Sequence, residues 1–425
     1  MRMINTTLGE IADIITGPFG SQLHMRDYVD EGIAVIMPQN IGDRIVLEDK
    51  IARISESDYK RLKKYQTQNE DIVYSRRGDV EKHAFIRGDK PYLCGTGCLR
   101  VRANKEKVYP RYLSLFLSRP ETKRWLSQHA IGSNMMNLNK SILGNVPVFF
   151  PNMNIQIEIA ELLQAIDDKI QLNIKMIKEL EKMAKMIYDY WFLQFEFPNK
   201  DGKPYKSFGG KMVWNKKLQK MLPFNWKELS IDEIGSLKNG INYKKEVMGD
   251  KEYKIVNVRD MSDSSLLLDK SALDTISLIS SEADKYLLLN NSILIARSGI
   301  PGAVRILNDI EDTIYCGFII CLSLKSLENR NYLVYSLKNY ENTFTSSSGG
   351  TILKNVSQDI LKKIYIPMPP QDILKKFNQK IDSIFETIDY NLKENEKLRD
   401  FRDYLLPLLM NGQVGFKGLE SEIKG

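Results

Sequence analysis

Apolar positions in this chain keep two rhythms. From Ile159 to Trp191 they recur by alternating steps of four and three, through Leu163, Ile166, Ile170, Asn173, Ile177, Leu180, Ala184 and Ile187. That pattern predicts one long helix with a single stripe to bury, rising ~50 Å at ~1.5 Å per residue. Adding 218 to each number gives Phe377, Ile381, Ile384, Ile388, Asn391, Asn395, Leu398, Arg402, Leu405 and Leu409. The second seam keeps the phase and is weaker, because Asn395 and Arg402 replace apolar residues. Elsewhere the rhythm is that of short buried strands between Gly, Asn, Asp and Ser turns. Such runs include Ala34 to Met37, Asp71 to Tyr74, Leu99 to Val101, Lys254 to Val258 and Ile293 to Ala296, while Pro110 to Leu126 and Asn331 to Asn342 predict helices.

The chain matches itself at a shift of about 220 residues. Ile11 to Gly17 aligns with Ile234 to Gly240, and Ile72 to Gly78 with Ile293 to Gly299. Gly132-Ser133 and Gly350-Thr351 each open a polar turn before a proline-containing strand, Val146 to Pro151 and Ile364 to Pro369. The expected fold is therefore mixed α/β (α+β): two globular domains in pseudo-two-fold repeat, separated by two long antiparallel coiled-coil helices. The predicted boundaries are 1–151 for the first globular domain, 152–195 for its helix and 196–223 for a linker rich in turn signals. The second globular domain follows at 224–368, its helix at 369–411 and a tail at 412–425. Asn173 and Asn391 share one seam position, where a polar residue sacrifices stability and specifies register.

Composition narrows the picture only slightly. With 43% hydrophobic and 27% charged residues, the chain has the balance of a folded protein. No apolar run reaches the ~18 residues of a membrane span, and Met1 to Thr7 lacks a signal-peptide core, so a cytoplasmic location with no membrane partner is expected. A net charge of +7 favours polyanionic partners. Cys94/Cys98 and Cys316/Cys321 lie in apolar strand-like runs without the spacing of a zinc site, which makes them core residues.

The turns carry groups suited to DNA. Arginine reads guanine and Asn or Gln reads adenine, while Lys and Ser commonly take phosphate oxygens. Candidate DNA contacts in the first globular domain are Ser21, Gln22, Gln39, Asn40, Arg76, Arg77, Lys82, Ser133 and Asn134. In the second they are Asn242, Tyr243, Lys244, Lys245, Asn257, Arg259, Arg297, Ser298 and Ser347. Arg76 and Arg297 lead, because each follows an apolar strand and precedes glycine at matching places in the repeat. Catalytic signals are missing. There is no phosphate loop ending in Gly-Lys-Ser/Thr, and no Asn- or Asp-Pro-Pro-aromatic tetrapeptide, Met368-Pro369-Pro370-Gln371 failing at both ends. Only His24, His83 and His129 occur, and the position of His83 near the Arg76 loop suggests a surface residue.

A repeat of one globular unit and one long helix resembles the specificity subunits of type I restriction-modification systems. Local likenesses are Leu8 to Ile14 leading to Gly17-Pro18-Phe19-Gly20-Ser21, Pro223-Phe224-Asn225-Trp226-Lys227 at the second unit's start, Tyr190 to Phe197, and Leu405 to Val414. Asn152-Met153-Asn154-Ile155-Gln156 departs from the Pro-Leu-x-Glu-Gln lead-in common in that family, which affects only how the helix is capped. The resemblance implies a non-catalytic subunit whose two target-recognition domains each read half of a bipartite sequence in double-stranded DNA. It implies helices that set the spacer, comparable with the ~34 Å of one DNA turn. It also implies two methyltransferase subunits and restriction subunits as partners, which would hold the S-adenosylmethionine, ATP and magnesium. Trp191, Phe192 and Phe195 would either serve that docking or close the helix end. The rival readings are a coiled-coil scaffold or adaptor without DNA specificity, and an enzyme carrying its own methyltransferase or nuclease site.

Overall fold

A computed structural model describes residues 3–132, 136–243, 249–262, 265–341 and 355–413. The chain divides into two compact units, 1–169 with 398–425, and 170–397. Both divisions fall inside long helices, Met153–Tyr188 and Gln371–Met410. Each unit is therefore a mixed α/β domain completed by helical segments from both halves of the sequence.

In the first unit one sheet runs Ala12–Thr16, Cys98–Ala103, Ile72–Ser75, His83–Phe85, every neighbouring pair antiparallel. Ile72–Ser75 is buried along its whole length, which is why its sequence is apolar without alternation. A second sheet runs Tyr28–Val29, Arg53–Ile54, Ile33–Ile36, Tyr92–Cys94, and its last pair is parallel. The segment read as one helix from Pro110 to Leu126 is two, Pro110–Leu117 and Pro120–His129. Pro120 has no N–H to give and disfavours helical backbone at Arg119, so the second helix starts afresh with proline at its first turn.

The second unit repeats the plan. Its four-stranded sheet runs Gly235–Asn239, Ile319–Leu324, Ser292–Ala296, Val304–Arg305, the same order as its counterpart. Lys251–Val256 again pairs in parallel with Thr313–Tyr315. The proline-containing strands also match: Pro147–Phe150 pairs with Ile4–Thr7, and Tyr365–Met368 with Lys227–Ser230. Both short helices that follow, Leu8–Ile11 and Ile231–Ile234, start from capping boxes, Thr7 with Glu10 and Ser230 with Glu233.

Every residue of the two predicted seams is buried or half-buried. Within the second unit Asn173 meets Asn395, Asn391 meets Met176, and Tyr188 and Trp191 meet Phe377, so the two helical segments run antiparallel. After Tyr188 the helix widens into a π-turn, Asp189–Leu193, that turns Trp191 and Phe192 into the core of this unit. Phe192 packs edge-on against Tyr332 and Phe377. Trp191 and Phe192 therefore close the helix end against their own domain, with Phe195 packed against Trp226 beside them.

Candidate nucleic-acid interface

In the first unit four loops meet at one end of the two sheets. The Gly17 N–H donates to the Cys98 carbonyl, the Gly95 N–H to Ile36 and the Arg76 N–H to Gly97. The approach is close enough to require glycine: a Cβ on Gly17 would lie 2.1 Å from the Gly95 oxygen. Loops 17–22, 37–40, 76–78 and 95–97 are thus tied by backbone bonds that do not depend on what their side chains do. Arg76 stands at the strand end with its guanidinium carbon 5.8 Å from the centre of the Phe19 ring, within cation–π range. Its Nε is buried without a hydrogen-bond partner.

The second unit builds the same end from its own sequence. The Gly240 N–H donates to Ile319, Cys316 to Val256 and Arg297 to Phe318. A Cβ on Gly240 would lie 2.3 Å from the carbonyl oxygens of both Tyr315 and Cys316. The carbonyls also correspond: Arg76 accepts from the Leu138 N–H, and Arg297 from Val356. The two lead arginines therefore occupy equivalent rungs, each exposed or half-exposed at the end of a fully buried strand. Among the described residues the Arg297 guanidinium has no ion pair or side-chain hydrogen bond, and the residue is exposed.

The structure sorts the other candidates. Ser21, Gln39 and Arg77 are exposed around Arg76. Gln22 is exposed, but its side-chain oxygen already accepts from Tyr65 and from the Phe19 N–H. Lys82 is exposed and pairs with Asp79 at 2.7 Å. Asn40 is a correction: it is 1% exposed, accepting from the Met37 N–H and donating to the Leu47 carbonyl. Holding that turn engages both ends of its amide, and burial keeps the remaining N–H and lone pair from a base.

In the second unit Asn242 is exposed opposite Gly317, where a Cβ would lie 2.0 Å from its Oδ1. Burial pushes the Tyr243 hydroxyl above its usual range, and as a neutral donor it bonds Asn257 at 3.2 Å. Arg259 is exposed but paired with Asp274 and Asp260, and its pKa is raised chiefly by the Asp274 hydrogen bond. Ser298 is half-buried beside Arg297. Ser133, Asn134, Lys244, Lys245 and Ser347 lie outside the described residues.

Asn173 and Asn391 do not bond each other. The Asn173 amide donates to Glu394 at 2.6 Å and to Asn395 at 2.9 Å, while Asn391 donates to the Thr387 carbonyl of its own helix. In the first unit Arg402 pairs with Asp167 at 3.1 Å. Both polar departures of the weaker seam thus find polar partners on the opposite helical segment.

His83 is a second correction. It is buried, its Nε2 2.9 Å from the Ser114 hydroxyl, and burial lowers its pKa to about 3. All four cysteines are buried and free, and burial raises the Cys94 thiol to about 12. No group of His, Cys, Asp and Glu suited to a metal occurs among the described residues, and none of their helices is long and apolar enough to cross a membrane. Sequence reasoning passed over Phe19 and Phe318 as individual site residues. Each is a large apolar side chain left exposed, Phe19 against the Arg76 guanidinium and Phe318 on the backbone rung bonded to Arg297.

Comparison with known proteins gives a consistent picture. The family model "Type I restriction modification DNA specificity domain" matches twice, at residues 4–182 and 223–399. The specificity subunit of the MjaIX type I restriction enzyme of Methanocaldococcus jannaschii is 27% identical over 313 residues, covering 73% of this chain and 70% of that one. The HindI specificity subunit of Haemophilus influenzae is 24% identical over 445 residues, covering 88% and 93%. Among solved structures, the S subunit of a type I restriction-modification system from M. genitalium covers 96% of each chain at a TM-score of 0.55 and 16% identity, a likeness of fold.

Proposed function

This chain belongs to the type I restriction modification DNA specificity domain family, and from that premise we propose that it is the DNA-reading subunit of a type I restriction-modification complex. One observation carries the reading. The family domain occurs twice, and each copy presents the same sheet end with a strand-end arginine, Arg76 or Arg297, among polar loops. Two readers on one chain suit a target made of two different half-sites.

In this reading Arg76 and Arg297 approach base edges, with Ser21, Gln39, Arg77, Asn242 and Ser298 around them for bases and phosphates. Lys82, Lys244, Lys245, Ser133, Asn134 and Ser347 join them as phosphate-seeking or base-seeking groups, and Arg259 and Asn257 hold the second unit's loop. The paired helices set the unread spacer, with Asn173 fixing their register. The globular domains span 1–151 and 224–368, joined through the 196–223 linker. Two methyltransferase subunits dock on this chain and restriction subunits complete the complex. S-adenosylmethionine, ATP and magnesium belong to those partners, and this chain catalyses no step.

The test is mapping of methylated adenine across the source genome with and without this gene. Loss of one bipartite motif, two short half-sites around a fixed spacer, is the expected result. If methylation is unchanged and this chain with its methyltransferase binds no duplex, the reading fails.

A further inference from the structure

The two sheet ends share a feature that the repeat in the sequence conceals. In the second unit the antiparallel ladder pairs Ala296 with Ile319, and the Arg297 N–H donates to the Phe318 carbonyl at 2.9 Å, one rung further. Phe318 is therefore the cross-strand neighbour of Arg297, and residues directly opposite in such a ladder project from the same face. In the first unit the ladder pairs Ser75 with Cys98, and the next rung joins Arg76 to Gly97. Glycine offers no side chain there. The vacant place beside the arginine is filled from a different loop by Phe19, whose ring lies under the Arg76 guanidinium. At the matching loop position of the second unit, 223 residues on as Gly240 follows Gly17, stands polar Asn242.

Both halves thus set a phenylalanine next to a strand-end arginine by different residues, through a ring contact in the first unit and through the backbone rung in the second. Neither ring is spent on the protein's own core. Phe19 is 57% exposed and Phe318 61% exposed. An exposed phenylalanine on one surface is unremarkable by itself. One placed beside an equivalent arginine in both units, from non-equivalent positions, marks a common demand on the site.

We infer that Phe19 and Phe318 are DNA-contacting wedges, each inserting its ring part-way into one base step of its half-site while the adjoining arginine holds the edge or backbone beside it. This rests on the DNA-reading function proposed above. A flat apolar ring with a cation at its side suits a partly unstacked step, where the ring stacks on a base face and the arginine hydrogen-bonds alongside. A ring pushed into a step also makes the deformability of that step part of what is read. Such a reader discriminates at a position where it makes no hydrogen bond.

The test uses this chain assembled with its methyltransferase subunit and duplexes carrying the target found by methylation mapping. 2-Aminopurine replaces single bases across each half-site, avoiding the methylated adenine. Binding should raise fluorescence at one step per half-site. Phe19→Ala should abolish the rise in one half-site only, and Phe318→Ala in the other, each weakening binding roughly 5- to 150-fold, the size of one lost base–aromatic stack. Phe19→Trp should keep the signal. Tight wild-type binding with flat fluorescence in both half-sites would overturn the inference while leaving the DNA-reading function intact, as would alanine variants with unchanged signal and affinity. A wild-type assembly that binds no duplex would overturn both. Thermal unfolding of the alanine variants should match wild type, and the wild-type fluorescence map stands whether or not they fold.

Discussion

Replacing Asn173 alone by leucine should destabilise the second unit, whereas replacing Asn173 and Asn395 together should stabilise it. Both residues are 0% exposed, and the pair leaves two buried atoms, Asn173 Oδ1 and Asn395 Nδ2, without partners. Asn173→Leu removes the bonds to Glu394 and Asn395, at about 1 kcal/mol for the neutral bond and about 1.5–3 for the charged one. It also strands the rest of the Asn395 amide at about 1–3 kcal/mol. Burial of the leucine side chain returns about 1.5–3 kcal/mol, so the net cost is about 2–4 kcal/mol. In the double variant the stranded amide is gone and a second leucine is buried, which turns the balance to a gain of about 0.5–2 kcal/mol, the same direction as when a buried ion pair gives way to apolar residues. The coupling between the positions is the difference between the double variant and the sum of the Asn173→Leu and Asn395→Leu single variants. A double-mutant cycle from denaturant unfolding of the full chain measures it. Two single variants whose effects merely add would refute the pairing. A double variant that also sharpens discrimination between spacer lengths would refute the register role of Asn173.

Further expectations follow from other sites. Arg76→Ala or Arg297→Ala should weaken binding to the cognate duplex by about 1–3 kcal/mol and relax discrimination in one half-site each, read by competition binding at fixed salt. Asp167→Asn removes the carboxylate charge facing buried Arg44 and half-buried Arg402, of which Arg402 keeps Asp403. It should cost the first unit about 3–5 kcal/mol in unfolding experiments, the penalty for leaving a buried charge unpaired. His83 stays neutral in the folded chain, with a pKa near 3, while the unfolded chain protonates it near pH ~6.5. The unfolded state thus binds the extra proton, and stability falls as pH drops through that window, by at most about 1.4 kcal/mol per unit. Between pH 7 and 5 the loss should shrink in His83→Gln, measured by urea unfolding. The native thiols should resist alkylation at pH 8 until the chain unfolds, since all four are buried and, for Cys94, burial holds the thiol near 12.

The seams, the two mixed α/β units and the buried cysteines were legible because each depends on local period and apolar content. The strand-end placement of Arg76 and Arg297 was legible for the same reason, since a buried strand followed by Arg and Gly leaves the arginine at its rim. What escaped depends on residues distant in sequence. Asn40 reads in sequence as a loop amide, while in the fold Met37 and Leu47 engage it. His83 is buried by Ser114 and Tyr74, and no spacing near residue 83 reports them. The partner of Asn173 is 222 residues away, at a position where the sequence only showed a weakened seam. The Phe19 and Phe318 arrangement was hidden because alignment of the halves pairs neither with the other.

The division of the chain has a consequence for its synthesis. The first unit needs residues 398–410, among which Leu405, Leu406, Leu409 and Met410 are buried and Arg402 answers Asp167. The second unit draws its residues from 170–397. On a ribosome moving at ~5–20 residues per second, the later-translated unit can therefore close before the earlier one. The amino-terminal domain must wait, with part of its apolar surface uncovered, until the last turns of the final helix emerge. Chaperone dependence and sensitivity to premature termination should concentrate in that interval.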